Sequence, residues 1–593
     1  MRPLGGKSPS NCAIAQRSLW RSYRYKFISY LKLFQRTVDD LRYGWLAGRS
    51  RLLNSQPRST GIIRVSILLP VYNTNPDLLR KSIKSALNQT YQNIEVCIAD
   101  DGSTRRDTLD VIEWSRVDPR VKVAIRGENG HISAATNTAF ALATGEWTTL
   151  LDHDDMLHPE AIEELVNTIA ANPDARLIYS DEDKIDSRDR RYAPFFKPDF
   201  SIELLSSQNY LNHLTAYRSE SIRQVGGWRR GFEGSQDYDL NLRIVETIDP
   251  NNIIHIPKVL YHWRATRGST ALSGNEKSYA QEAARRALRD HLRRIGSSAV
   301  VEAVPGTTYH KVHYPLPMPL PLVTIVTDTS GGEDDLQRWI EILVRRTSYR
   351  PLELVVIRGQ EETVPLDLGQ HLRSNELQFR VVGKTRGNAA SVLNTAVSQC
   401  SGEIVCLLES HIKPLRSDWL NEMVATAARA KVGCVGPKIL FPGGTVHSAG
   451  IVIGVGGTVG HSHAHYGRRS SGYYSRLRLP HDISAVSSLC MVFRKEAFER
   501  VGGFSETLSI GILNDVDFCL RLRQANLRHV ITPSSEVSLS RYGGHQSTRI
   551  SHQNAAFDAE YQFLLTKWGR ALKRDPFYSP NHRDASADFR LDF

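Results

Sequence analysis

At 593 residues the chain exceeds what one hydrophobic core serves, so two domains with extensions are expected. A hydrophobic share of 41% beside a charged share of 23% excludes a chain disordered over most of its length. Lys and Arg outnumber Asp and Glu by 75 to 63, an excess that favours an anionic partner. That excess is spread along the chain without an aromatic-basic reading motif, so a nucleotide diphosphate or an acidic membrane surface is expected rather than nucleic acid.

Residues 1–60 form a basic extension in which Leu19, Trp20, Tyr23, Phe27, Tyr30, Leu31, Phe34, Val38 and Leu41 recur by threes and fours. The spacing predicts an amphipathic helix with a basic polar face. Two uses stay open for it: peripheral membrane contact through residues 17–46, or packing on the neighbouring domain. From Val65 the pattern turns to strand and helix in alternation. RVSILLPVY, IEVCIADDGS, VKVAIRG and EWTTLLDHDD read as strands, with LLRKSIKSALNQ, DTLDVIEWSR and AATNTAFALATG as the helices between them. Such alternation predicts a largely parallel, doubly wound α/β sheet whose ligands bind beyond the C-terminal ends of its strands. The acidic clusters fall at those ends.

A helix over 277–296 closed by Gly296 ends a first domain of 61–305, and the proline-rich stretch of 306–320 reads as an extended linker. Beyond it the first pattern returns. VSIL at Val65 becomes VTIV at Val323, NTAFALATGEWTTLLDHD at Asn137 becomes NTAVSQCSGEIVCLLESH at Asn394, and YRSESIRQVGGW at Tyr217 becomes FRKEAFERVGGF at Phe493. This is duplication of a whole domain, giving a second one over 321–575 and a tail over 576–593. The cysteines Cys12, Cys97, Cys400, Cys406, Cys434, Cys490 and Cys519 make no C-x-x-C pair and sit mostly in apolar runs, as buried thiols of a reducing compartment do. With no signal-peptide pattern and no apolar run near ~20 residues, the expected location is the cytoplasm, with a candidate peripheral position at the inner face of the plasma membrane.

Asp100 and Asp101 follow a strand directly and precede Gly102, so a carboxylate there can meet a base or ribose, or simply cap the next helix. Asp152, Asp154 and Asp155 crowd one strand end, a costly arrangement unless a cation neutralises it. All-oxygen ligation suits Mg²⁺ or Mn²⁺ bridging phosphate oxygens. Asp237, at the start of a helix, is either an N-terminal cap or a general base that takes a proton from an attacking hydroxyl. His262 is a candidate ligand for the same metal, and Arg264 a candidate phosphate contact.

The ordered series SILLPVYN, ADDGS, ATGEWTTLLDHDDMLHP, SDEDKID, FFKPDF, EGSQDYDLNLR and LYHWR resembles glycosyltransferase family 2, the inverting GT-A enzymes that build O-antigen and other bacterial surface polysaccharides, rhamnosyltransferases among them. The resemblance is strong over 64–270 and looser over 321–570. It implies two tandem GT-A domains and a nucleotide-sugar donor linked to UDP, dTDP or GDP. It also implies a glycan or lipid-linked oligosaccharide acceptor and a divalent cation. Residue by residue it places Pro70, Tyr72, Asp100, Asp101, Asp152 and Arg264 with the nucleotide sugar. Asp152, Asp154 and His262 fall to the metal, and Asp237 to the catalytic base. Family members often carry Arg just before the position of Asn137, where this chain has Thr136.

The second copy departs where chemistry concentrates: Arg358 and Gly359 stand for Asp100 and Asp101, Glu409 and His411 for Asp152 and Asp154, and Ser538-Leu539-Ser540 for the stretch around His262. Asp515 alone keeps the carboxylate matching the base. The expectation is one catalytic domain and one diverged copy. Its rivals are an enzyme with two live sites and a non-catalytic scaffold of a polysaccharide assembly complex.

Overall fold

The computed structural model describes residues 43, 63–265, 278–328, 333–359, 377–384, 387–509, 511–540 and 555–591. The basic helix expected within residues 1–60, and with it the membrane contact through residues 17–46, lies outside them save for Tyr43. The chain divides into two compact units between His313 and Tyr314, and the first unit also takes in Ser579–His582.

In the first unit the strands are β1 (Val65–Val71), β2 (Ile94–Asp100), β3 (Val121–Ile125), β4 (Trp147–Leu150), β5 (Met156–Leu157), β6 (Leu177–Ile185), β7 (Arg191–Phe195), β8 (Thr215–Arg218) and β9 (Ile253–Arg264). The helices are α1 (Pro76–Leu87), α2 (Arg106–Ser115), α3 (His131–Leu142), α4 (Ala161–Ala171), α5 (Ile202–Leu205), α6 (Ser219–Gln224), α7 (Gln236–Val245) and α8 (Ser278–Arg294). Every residue of β1 and β2 is buried, as strands covered on both faces require, and this is why they read as unbroken apolar runs. Pro76 opens α1 with its fixed φ, while the Asn75 side chain accepts from the backbone N–H groups of Asp77 and Leu78. Gly296 takes a left-handed φ of 70°, which lets Ser297 N–H turn back to the Leu292 carbonyl at 2.8 Å and end α8.

The sheet runs β3-β2-β1-β4-β8-β6-β9-β5. Its first four strands are parallel, as expected. From β8 onward it is mixed: β8 is antiparallel to both β4 and β6, β9 parallel to β6, and β5 antiparallel to β9. The largely parallel sheet read from the sequence is therefore half of the real one. Strict strand-helix alternation stops after α4, and the later strands return to the sheet in both directions.

The first unit closes with a hairpin of β10 (Val300–Ala303) and β11 (His310–His313), whose His310 N–H donates to the Ser207 carbonyl at 2.9 Å. The stretch 306–320, read as a linker, thus begins inside this hairpin. The connector proper is the irregular run from Tyr314 to β12.

The second unit carries β12 (Val323–Asp328), β13 (Leu352–Arg358), β14 (Leu377–Gly383), β15 (Ile404–Leu408), β16 (Ile412–Pro414), β17 (Val432–Leu440), β18 (Val446–Ser448), β19 (Ile451–Ile453), β20 (Val459–His461), β21 (His481–Ile483), β22 (Cys490–Arg494) and β23 (Arg528–Leu539). Its sheet order, β14-β13-β12-β15-β22-β17-β23-β16, matches the first strand for strand, with the same parallel and antiparallel pairings. The duplication seen in the sequence is a duplication of architecture. Cys97, Cys400, Cys406, Cys434, Cys490 and Cys519 are buried free thiols, packed as small apolar side chains.

One buried clasp recurs in both units. Glu95, on β2, accepts from Ser66 Oγ at 2.6 Å, from the backbone N–H and hydroxyl of Thr144, and pairs with Lys122 at 2.7 Å. Glu353 repeats it with Thr324, the Ser401 N–H and hydroxyl, and Arg380. A glycine completes each clasp, because a Cβ on Gly145 would stand 2.7 Å from the Arg64 carbonyl oxygen and one on Gly402 2.7 Å from that of Leu322.

Candidate active site

A cavity of about 540 Å³ opens beyond the C-terminal ends of β1 and β4, lined among others by Pro70, Tyr72, Asp101, Asp152, His213 and Asp237. Five of the residues singled out in the sequence meet there, and His213 joins them. Asp100, Asp154, His262 and Arg264 are not among the residues that line it.

Asp100 ends β2 buried, and its Oδ2 accepts from Ser103 N–H at 3.0 Å. Asp101 turns into the cavity, with Oδ1 accepting from Arg126 Nε at 2.8 Å and from Gly130 N–H at 3.0 Å. The turn needs its glycine: Gly102 has φ 75°, and a Cβ would press on the Glu128 backbone at 3.0 Å. Arg126 thus stands beside the acidic pair, while Thr136, where the resemblance implies an arginine, returns its hydroxyl to the Ile132 carbonyl.

The turn after β4 concentrates negative charge. Asp155 is enclosed, accepting from Tyr261 OH and from Arg264 N–H, both at 2.7 Å. Burial first, then the charges of Asp154 and Asp152, push its carboxyl well above the usual range. Asp154 is pushed up by burial, with His153 opposing and Asp152 adding to the shift. Carboxylates that raise one another in this way have the donor chemistry a hard divalent cation satisfies. Arg264, fully buried, gives Nε to the Asp154 carbonyl at 2.7 Å and Nη1 to Asp189 at 2.5 Å. Its guanidinium fixes the acidic turn from behind rather than facing the cavity.

His262 pairs across strands with Met156, two residues past Asp154. Its Nδ1 meets Asp183 Oδ1 at 2.6 Å, and Asp183 is held in turn by Arg191 and Tyr43. A carboxylate on Nδ1 orients the ring and turns Nε2 away from it, an arrangement common at metal sites. Asp237 is the second residue of α7. Its Oδ2 accepts from Asn209 Nδ2 at 3.0 Å, and Asn209 is braced by Asn241, itself bonded by Tyr217 OH. Burial raises the Asp237 carboxyl, and His213 opposes the shift; a carboxylate so raised accepts protons better than one in water. The sequence reading passed over Asn209, His213 and Tyr261. For Asn209 and His213 the signal available was a run of amides and a histidine, QNYLNH, just before β8.

Strand register fixes the counterparts in the second unit. Arg358 holds the place of Asp100, since Asp100 pairs with Ile125 and Arg358 with Gly383. Ser538 holds that of His262, opposite Lys413 as His262 is opposite Met156. Glu409 and His411 approach to 3.2 Å. Glu409 and Asp515 are both pushed up to about 7, by burial first.

Glycosyl transferase family 2 matches residues 66–226 and again 324–502, one match in each unit. The chain is 41% identical over 569 residues to the uncharacterized protein y4gI of Sinorhizobium fredii, covering 94% of this chain and 62% of that protein. It is 32% identical over 552 residues to the O-antigen biosynthesis protein RfbC of Myxococcus xanthus, covering 91% of this chain and 42% of that one. It therefore spans less than two thirds of the length of either relative. The solved S. aureus TarS fragment 1–349 aligns at 18% identity with a TM-score of 0.32, over 39% of this chain and 65% of that one. With more than half its length matched, in two copies that share one sheet order, the chain belongs to glycosyl transferase family 2.

Proposed function

We propose that the first unit transfers a sugar, with inversion, from a UDP-, dTDP- or GDP-linked donor to a growing bacterial surface glycan of the O-antigen kind. The observation that carries this reading is the cavity in which Asp101, Asp152 and Asp237 converge at strand ends. Asp101, oriented by Arg126 and Gly130, meets the nucleoside. Tyr72, 46% exposed at the rim, offers a ring face to the base, and Pro70 shapes the wall beside it. Asp152, Asp154 and His262 are the residues that would hold Mg²⁺ or Mn²⁺, which when bound offsets the charge of the diphosphate leaving group. Asp237 takes the proton of an acceptor hydroxyl as that oxygen attacks the anomeric carbon from the face opposite the diphosphate. A single displacement inverts the centre.

The name of the Myxococcus relative supports the glycan class of the acceptor. No helix among the described residues is long and apolar enough to cross a membrane, and we place the reaction at the cytoplasmic face, where nucleotide sugars are available, with residues 17–46 as the candidate surface contact. In this reading the second unit binds acceptor or a second copy of the chain. The test is donor hydrolysis by the purified chain with Mn²⁺ or Mg²⁺ against a panel of nucleotide sugars. Turnover of at least one, abolished in Asp237→Ala, is expected. Silence across the panel favours the scaffold.

A further inference from the structure

His213 sits on the cavity floor in a built environment. Glu182 Oε2 accepts from its backbone N–H at 2.8 Å and faces its ring Nδ1 at 3.1 Å. Lys197, fully buried, lies 3.6 Å from the same Glu182 oxygen and donates to the carbonyls of Asn212 and His213, each at 2.7 Å. The ring stacks on Tyr261 at 4.7 Å and leans on Trp263 at 5.5 Å. Tyr261 in turn bonds Asp155 and the Asp152 N–H. Glu182 on β6 and Lys197 after β7 flank this imidazole, Asp152 and Asp237 line the same cavity, and Asp155 acts on it electrostatically from the enclosed side of the acidic turn. Glu182 thus carries one negative charge between two cations, His213 at 3.1 Å and Lys197 at 3.6 Å, so the group as a whole leaves net positive charge beside the cavity.

The internal duplication supplies a second, independent observation. Glu182 pairs with Phe195 as Ile439 pairs with Ser448, so Ile439 holds the place of Glu182 and Gly450, two past Ser448, that of Lys197. Trp147 pairs with Arg218 as Ile404 pairs with Arg494, which puts Leu489 at the place of His213, packed against the apolar core of its unit. The copy that lost the acidic turn lost all three members of this ion network and kept the Glu95 clasp as Glu353. The clasp is common to both units, whereas this network is confined to the unit that carries the acidic turn.

We propose that His213 is a positioning residue of the transfer reaction, a fixed imidazolium that offsets the negative charge gathered by Asp152, Asp155 and Asp237 and keeps Asp237 in its proton-accepting form. This rests on the reading of the cavity as the transfer site. Glu182 is the main cause holding the ring charged against its own burial, up to about 9, so the charge is present at neutral pH.

The test is Mn²⁺ titration of the full chain, followed by the electron paramagnetic resonance of the free ion, in wild type, Asp154→Ala, His213→Gln and His213→Lys. Asp154→Ala should weaken binding. His213→Gln, which removes a like charge from beside the cation, should tighten it about threefold or more, and His213→Lys should stay near wild type. Weaker or unchanged binding in His213→Gln, with Asp154→Ala weakened, overturns the proposal alone. Unchanged binding in Asp154→Ala overturns the reading of the site and the proposal with it. Donor hydrolysis against pH gives the second readout: the acid limb of His213→Gln should move up by about one pH unit, tenfold in rate on that limb, and His213→Lys should restore it. A limb that does not move also overturns the proposal, and coincident thermal melts show that both variants fold.

Discussion

The two units share a scaffold down to individual side chains; beyond the added strands β19 to β21 of the second unit, they part company where the first concentrates charge. The Glu95 clasp reappears as Glu353. Asn137, which gives to and takes from the Trp228 backbone, reappears as Asn394 on Phe504. Arg243, tying Asp239 to the Val225 carbonyl, reappears as Arg521 between Asp517 and Val501. By contrast Asp100, Asp152, Asp154, His213 and His262 give way to Arg358, Glu409, His411, Leu489 and Ser538. Buried polar groups that serve the fold are expensive to change one at a time, because each leaves a partner unsatisfied. Groups that hold no partner of the fold carry no such constraint.

Four experiments would break or sharpen this contrast. The largest effect is expected from the acidic turn: Asp154→Ala, or EDTA added to the wild type, should abolish transfer with the melting transition unchanged. Activity surviving both would remove the metal from the mechanism. Asp237→Asn keeps the shape and the hydrogen bond from Asn209 but cannot take a proton, so turnover should fall by about 10² or more with donor affinity little altered. A loss confined to donor binding would make Asp237 a structural residue.

The clasp should behave alike in both units. Glu95→Gln and Glu353→Gln should each cost about 2 kcal/mol in denaturant unfolding, measured on the transition of the unit concerned, and a large difference between them would show that the clasps are not equivalent. Glu95 is also held down to about 2, its burial outweighed by Lys122, Ser66 and Thr144. A depressed carboxyl stabilises the fold above its unfolded value and loses that contribution as pH falls, here between about 4 and about 2, so the acid arm of the stability curve should flatten in Glu95→Gln.

The smallest effect is expected at Asp515. Asp515→Ala should leave transfer within about twofold of wild type, and a product stalled one sugar short would show a second working site. Its carboxyl is raised to about 7 by burial, so ionising it costs stability as pH climbs from about 4 to 7. Asp515→Asn should therefore lose less melting temperature than wild type between pH 5 and pH 8.

The sequence foretold the parallel half of the first sheet because β1 and β2 are mostly apolar runs and because β2 and β4 lead directly into acidic turns, a pattern of strand ends in an α/β chain. It did not foretell the mixed half, whose strands β6 to β9 carry buried Asp181, Asp183 and His262 and partly buried Glu182, charges that break the apolar signal while pairing with groups far along the chain. Arg264 shows the same limit. A lone arginine near an acidic motif reads as a phosphate contact, and only the fold reveals that β9 carries it behind the turn. His213 escaped for a similar reason, since its partners Glu182 and Lys197 lie 31 and 16 residues away.

The clasp also bears on the order in which each unit acquires its structure. It joins Glu95 to Ser66, Thr144 and Gly145 across 29, 49 and 50 residues, so its loops close between β1 and the start of β4, while β6 to β9 contribute nothing to it. Loop-closure entropy rises slowly with span, and a buried charge completes its hydrogen bonds only when all three segments arrive together. Assembly should thus nucleate on β1, β2 and β4. Substitutions at Glu95 or Gly145 would then slow refolding, whereas substitutions in β8 or β9 would mainly hasten unfolding, and the strand end that bears the acidic turn would be in place before the half of the sheet that completes the cavity.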